Sequence, residues 1–110
     1  MIDIVLQAIA EPRRREILAL IQGRELTSGE ISAHFDVTRP AISQHLKVLT
    51  DAGLLTVRKH GTQRLYQVRP EGLTELKQFL DRFWGDALQQ LKEAAEDEQR
   101  RMDAAAHRDE

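Results

Sequence analysis

At 110 residues, with no cysteine and a formal net charge of −2, the chain has room for one domain with a modest core. Disulfides and thiolate chemistry are excluded, and no run reaches transmembrane length. The apolar start Met1-Ile2-Asp3-Ile4-Val5-Leu6 lacks a basic leader and is soon broken by Glu11-Pro12, so it does not read as a signal peptide and a cytoplasmic protein is expected.

An opening helix is predicted over Ile2 to Ala10, with Ile2, Val5, Leu6 and Ile9 on one side. A second runs from Pro12 to Gln22, capped by Gly23. Within it, Arg13-Arg14-Arg15 reads as ion pairs with Glu11 or Glu16 rather than as a phosphate contact. Thr27 with Glu30 forms a capping box that opens a short helix from about Ser28 to Phe35. Phe35-Asp36-Val37 is a turn in which Asp36 is expected to take a left-handed backbone. Thr38 then caps a helix starting at Arg39-Pro40 and ending near Ala52. Ala41, Ile42, Leu46 and Leu49 make its buried stripe, and Arg39, Ser43, Gln44, His45 and Lys47 are free to reach base edges and phosphates. That pattern is a recognition helix.

Gly53 ends this helix in a left-handed conformation, and Leu54 to Lys59 turns strand-like. His60-Gly61-Thr62 makes a turn, and Gln63 to Val68 alternates polar with apolar. A helix-turn-helix followed by a basic hairpin predicts a fold that is mostly α with a small β-hairpin, a winged helix-turn-helix. After Pro70 a long helix is expected from about Glu71 to Arg101. Its seam Leu73, Leu76, Leu80, Phe83, Ala87, Leu91 and Ala94 steps by three and four, and Phe79, Trp84 and Leu88 widen it. So broad an apolar face on so small a protein reads as an interface. Ile2, Val5, Leu6, Leu76, Leu80, Phe83, Trp84, Ala87 and Leu91 are the expected dimer contacts. The domain is placed at 1–92, and 93–110 reads as a polar helical extension with a frayed end.

Charge follows the same geography. Residues 37–69 hold six Lys or Arg against the single acid Asp51, whereas residues 70–110 hold six against eleven Asp or Glu. The positive charge is gathered on the recognition helix and wing, where a phosphate backbone would lie.

These segments, in this order, resemble the ArsR family of bacterial winged-helix repressors. Glu11-Pro12-Arg13-Arg14-Arg15-Glu16-Ile17-Leu18 is similar to the family's D-P-x-R-R-x-I-L. Arg39 to Leu49 resembles its recognition segment, and Asp51-Ala52-Gly53-Leu54-Leu55 its link into the wing. The similarity runs from about Ala8 to Leu88. It implies a dimer through the terminal helices, and a partly buried, structural Arg14. The family's metal-sensing motifs are missing. Glu25-Leu26-Thr27-Ser28-Gly29-Glu30-Ile31 stands where E-L-C-V-C-D-L would be, and no His lies between Gly61 and Ala106 to supply a D-x-H…H-x-x-E site. His34, His45, His60 and His107 fall in four separate elements, so no metal is expected. His45 is open to two readings, contact with DNA or packing at the helix edge.

No nucleophile–base pair or glycine-rich phosphate loop supports an enzyme. The expected function is a homodimeric, DNA-binding transcriptional regulator, a repressor on a pseudo-palindromic operator, with no cofactor and no identified inducer. Thr38, Arg39, Pro40, Ser43, Gln44, His45, Lys47, Arg58, Lys59 and Arg64 are the expected DNA contacts. The alternative is a winged-helix protein-interaction module using Trp84 and the acidic last helix.

Overall fold

A computed structural model describes residues 2–108, and of 107 and 108 the backbone only. The order is α1 (Ile2–Ala10), α2 (Pro12–Ile21), β1 (Leu26–Thr27), α3 (Ser28–Ser32), α4 (Arg39–Asp51), β2 (Leu55–His60) and β3 (Gln63–Val68). A 3-10 turn, Pro70–Leu73, then leads into α5 (Thr74–Arg108). The chain divides into two units, one through Leu76 and one from Lys77 onward.

The first unit is a winged helix-turn-helix built on one apolar cluster. Ile17 and Ile21 of α2, Ile31 of α3, and Ile42, Leu46 and Leu49 of α4 are wholly buried, joined by Leu26, Leu54, Leu55 and Tyr66 from the sheet and its approach. α2 and α4 each contribute an apolar stripe at i, i+3 or i+4 spacing and α3 the single Ile31, which is why helices this short are stable here. Val5 is also in this core, at 5% exposure, and is not on an outward face as expected. The exposed apolar residues of α1 are Ile4 and Leu6. Helical spacing explains the difference, because Val5 shares its side with the buried Ala8.

The caps form as the sequence predicts. Glu30 N–H donates to Thr27 Oγ1 at 3.1 Å and Thr27 N–H to Glu30 Oε1 at 3.0 Å, a reciprocal capping box. Ala41 N–H donates to Thr38 Oγ1 at 3.3 Å, and Pro40, in the first turn of α4, lacks only an N–H that the helix would leave unpaired anyway. Gly53 has φ +79°, so the left-handed exit from α4 is real. Asp36, however, is not left-handed; no non-glycine residue described has positive φ. The chain spreads the reversal over residues 33–38 after a shorter α3, so no single residue must adopt the strained conformation.

The sheet has three antiparallel strands in the order β1-β3-β2. β2 and β3 pair with Val57 opposite Tyr66, Arg58 opposite Leu65 and Lys59 opposite Arg64. The two-residue loop Gly61-Thr62, with φ +65° at Gly61 alone, matches the twist of a tight hairpin. The strand β1, absent from the sequence reading, pairs Leu26 with Tyr66 and Thr27 with Leu65.

The second unit is the body of α5. Phe79 and Phe83 pack with rings tilted by 44° at 4.8 Å between centroids, and Phe79 meets Trp84 edge-on at 6.1 Å. Phe83, Trp84, Leu88 and Leu91 remain exposed, Leu91 at 67%. The helix starts later than expected, because Pro70–Leu73 is wound as a 3-10 turn, and it continues through Arg108, beyond the expected end near Arg101. Ala104-Ala105-Ala106 are the strongest helix formers, and close pairs such as Arg101–Glu98 and Gln99–Asp103 support the polar stretch before them. Residues 109 and 110, the end of the expected frayed tail, lie outside the described residues.

Candidate nucleic-acid interface

With Ile42, Leu46 and Leu49 driven into the core, helical geometry turns Pro40, Ser43, Gln44, Lys47 and Asp51 outward, and all are exposed. Thr38 is exposed at the cap, its hydroxyl already used as an acceptor. Arg39, at the first turn, lies against α3. A Cβ built on Gly29 would stand 3.2 Å from Arg39 Nη2, so the guanidinium packs closely over the bare Gly29 backbone.

Alternation along the hairpin separates the wing's cations. Lys59 and Arg64 face each other across the ladder, on the same side as Val57 and Tyr66. This side meets α4: a groove of about 450 Å³ is lined by Ser43, Lys47 and Asp51 of the helix and by Val57, Arg64 and Tyr66 of the wing. A smaller groove of about 280 Å³ joins Thr27, Ser28, Gly29 and Arg39 to Thr62, Gln63 and Arg64. Arg64 lines both, and so brings a cation between the recognition helix and the wing. Ser28, Thr62 and Gln63 were not among the expected site residues. The only signal for them in the sequence was polarity beside a cap and a turn.

Arg58 falls on the opposite side of the ladder. There it is held by Glu25 through two bonds, Nε to Oε2 at 2.7 Å and Nη2 to Oε1 at 2.8 Å. The Arg58 guanidinium holds the Glu25 carboxyl below the usual carboxylate range, and Glu25 raises Arg58 in turn. Arg58, expected to reach phosphate, is tied across the sheet to Glu25, which the strand β1 places beside it. Lys47 pairs with Asp51 at 2.7 Å one turn on, which raises its pKa. Both partners are mostly exposed, and such a pair is weak enough to open toward a phosphate. Arg39, Lys59 and Arg64 have no carboxylate partner among the described residues.

His45 is half-buried on the flank of α4, away from the outward face of Ser43, Gln44 and Lys47. Its Nδ1 is 3.4 Å from Arg14 Nη1. Among the described residues no three His, Asp or Glu converge as a metal site, and no helix is long and apolar enough to cross a membrane. Another groove, of about 580 Å³ and mostly apolar, is lined by Leu18, Leu54, Val68, Arg69 and Leu73 among others, and shares no residue with the two beside the wing.

Residues 11–57 match the model of the bacterial regulatory protein, arsR family. The HTH-type transcriptional regulator Rv2034 of Mycobacterium tuberculosis is 48% identical over 82 residues, 74% of this chain and 77% of that one. The arsenical resistance operon repressor of Staphylococcus xylosus is 38% identical over 77 residues, covering 70% and 74%. Among solved structures, a possible transcriptional regulator for arsenical resistance superposes with a TM-score of 0.67 at 46% identity, over 81% of this chain and 93% of that one. The homodimeric winged helix-turn-helix DNA-binding domain of Mb0332 from Mycobacterium bovis gives 0.62 at 26% identity, covering 73% and 74%. These relatives are regulators of transcription, not enzymes. With a recognition helix and wing in the right order and relatives this similar over most of its length, the chain belongs to the ArsR family of bacterial regulatory proteins.

Proposed function

We propose that the protein is a homodimeric transcriptional repressor that occupies a pseudo-palindromic operator in the cytoplasm. The observation that carries this reading is the pair of grooves in which Ser43 and Lys47 of α4 stand beside Arg64, and Arg64 beside Arg39, with no acid other than Asp51 lining them; Gln44 is exposed on the same face of α4. Gln44 offers an amide that matches adenine, and Arg39 a fork that matches guanine; each good pair discriminates by about 1–3 kcal/mol. Thr38, Lys47, Lys59 and Arg64 anchor phosphates, which set register without reading sequence. The similar repressor of S. xylosus supports repression as the outcome.

Dimerisation supplies the second recognition helix. Ile4 and Leu6 of α1, with Phe83, Trp84, Leu88 and Leu91 of α5, are exposed apolar residues that a second copy would cover. The homodimeric state of the Mb0332 domain supports assembly as a dimer. A two-fold axis then presents two copies of α4 to successive major grooves about 34 Å apart. The test is selection from a random duplex library by the purified protein. A palindromic consensus with half-sites one helical turn apart is expected, and Gln44→Ala should relax preference at particular positions within it. Equal affinity for selected and random duplexes would refute base reading.

A further inference from the structure

The last four carbonyls of a helix have no partner within it. In α1 these belong to Gln7, Ala8, Ile9 and Ala10, and all four are taken by two arginines of the next helix. Arg15 Nη1 donates to Ile9 O at 2.6 Å and to Ala10 O at 3.1 Å. Arg14 Nε donates to Ala8 O at 2.6 Å and its Nη2 to Gln7 O at 3.1 Å. The need is written in the sequence, since the residue four places beyond Ala8 is Pro12, which has no N–H to offer. No carboxylate pairs with Arg14 among the described residues. One donor arm of Arg14 is left over, and Nη1 spends it on Nδ1 of His45, in the middle of α4, at 3.4 Å.

A guanidinium only donates. Nδ1 of His45 is therefore the acceptor, and the ring carries its hydrogen on Nε2. One rigid, planar group thus grips the end of α1 and the centre of α4 together. Arg15 makes the same kind of cap with no bond to α4, so capping alone does not account for the Arg14–His45 bond.

We propose that Arg14 is a positioning residue for DNA reading. Through His45 it makes the end of α1, the helix offered to a second copy, and the recognition helix move as one body. This rests on the DNA-binding function proposed above. The seating of α1 in a dimer then sets the orientation in which Ser43, Gln44 and Lys47 meet the groove.

The experiment measures affinity for a duplex selected by the wild-type protein from a random library. Asn at position 45 keeps an acceptor where Nδ1 stands, and Gln keeps a polar group where Nε2 stands. His45→Asn should bind within about threefold of wild type and His45→Gln should lose roughly tenfold. The reverse order would show that His45 acts through Nε2 on the DNA itself, and would overturn the proposal, as would equal effects of the two changes. Arg14→Lys should also lose roughly tenfold, and that loss should vanish in a His45→Gln background. Arg15→Lys, the matched cap, should lower thermal stability and leave the affinity ratio between selected and random duplex unchanged. An Arg14→Lys effect that persists undiminished in His45→Gln would reduce Arg14 to a helix cap. Failure of the wild type to enrich any sequence would sink the DNA-reading function and this role with it, whereas enrichment with His45→Asn equal to His45→Gln would sink this role alone.

Discussion

The two arginines of the wing should behave differently in the salt dependence of DNA binding. Arg64 lines both grooves against α3 and α4 and has no carboxylate partner among the described residues, whereas Arg58 is held by both oxygens of Glu25 on the other side of the ladder. Each phosphate contact contributes about 0.9 to the slope of log affinity against log salt. Across a fourfold rise, from about 50 to 200 mM, one contact is worth a factor of about 3.5, and two related by a dimer axis about 12. Arg64→Ala should therefore flatten the slope by about 1.8 per dimer, with selected and random duplexes affected alike. Arg58→Ala should leave the slope unchanged and show itself in thermal stability, because it removes the tie between β2 and Glu25, the residue that leads into β1. The assay is fluorescence anisotropy of a labelled duplex at four or more salt concentrations, with thermal melts of each variant alongside. If Arg58→Ala flattened the slope as much as Arg64→Ala, the assignment of Arg58 as neutralised by Glu25 would be wrong.

Other outcomes follow from single features. Phe83 is 63% exposed, so Phe83→Asp should shift the sedimenting species from dimer to monomer and weaken DNA binding, and an unchanged dimer would place the interface elsewhere. Gly72→Ala would set a Cβ 2.1 Å from the Gly53 carbonyl oxygen and 3.2 Å from Leu54 Cα, backbone that cannot move aside cheaply. It should cost about 1–3 kcal/mol or more in denaturant melts, whereas Gly85→Ala, with open space at that position, should stabilise the helix by about 0.5–1 kcal/mol. The Thr27 backbone N–H, and then its hydroxyl, hold the Glu30 carboxyl below its usual range. A depressed carboxylate stabilises the fold at neutral pH and loses that contribution as pH falls through the carboxylate range. Melting temperature should accordingly fall less steeply below about pH 5 in Glu30→Gln, which keeps an acceptor for the cap. DNA affinity should not change on addition of one zinc, cadmium or arsenite per subunit. A reversible loss of about tenfold, equivalent to roughly 1.4 kcal/mol of coupling, would reveal a site built from His and carboxylates.

The elements that could be read from the sequence are those set by neighbours in the chain. The capping box needs only Thr27 and Glu30, the recognition helix only the spacing of Ile42, Leu46 and Leu49, and the hairpin only Gly61 between a strand-like run and an alternating one. The outward face of α4 follows from that same spacing, so Ser43, Gln44 and Lys47 were legible as well. What depended on tertiary structure was the partner of each charge. Glu25 and Arg58 are 33 residues apart, and meet because Leu26-Thr27, too short to show any periodicity, adds a strand beside β3. Arg14 and His45 are 31 residues apart, and meet because α2 packs along α4. Val5 is core because α1 turns its Ala8 side inward, a choice that Ile4 and Leu6 on its other sides leave open when the helix is read alone. Periodicity states that a helix has an apolar face, but only packing decides which cation is neutralised and which remains for DNA.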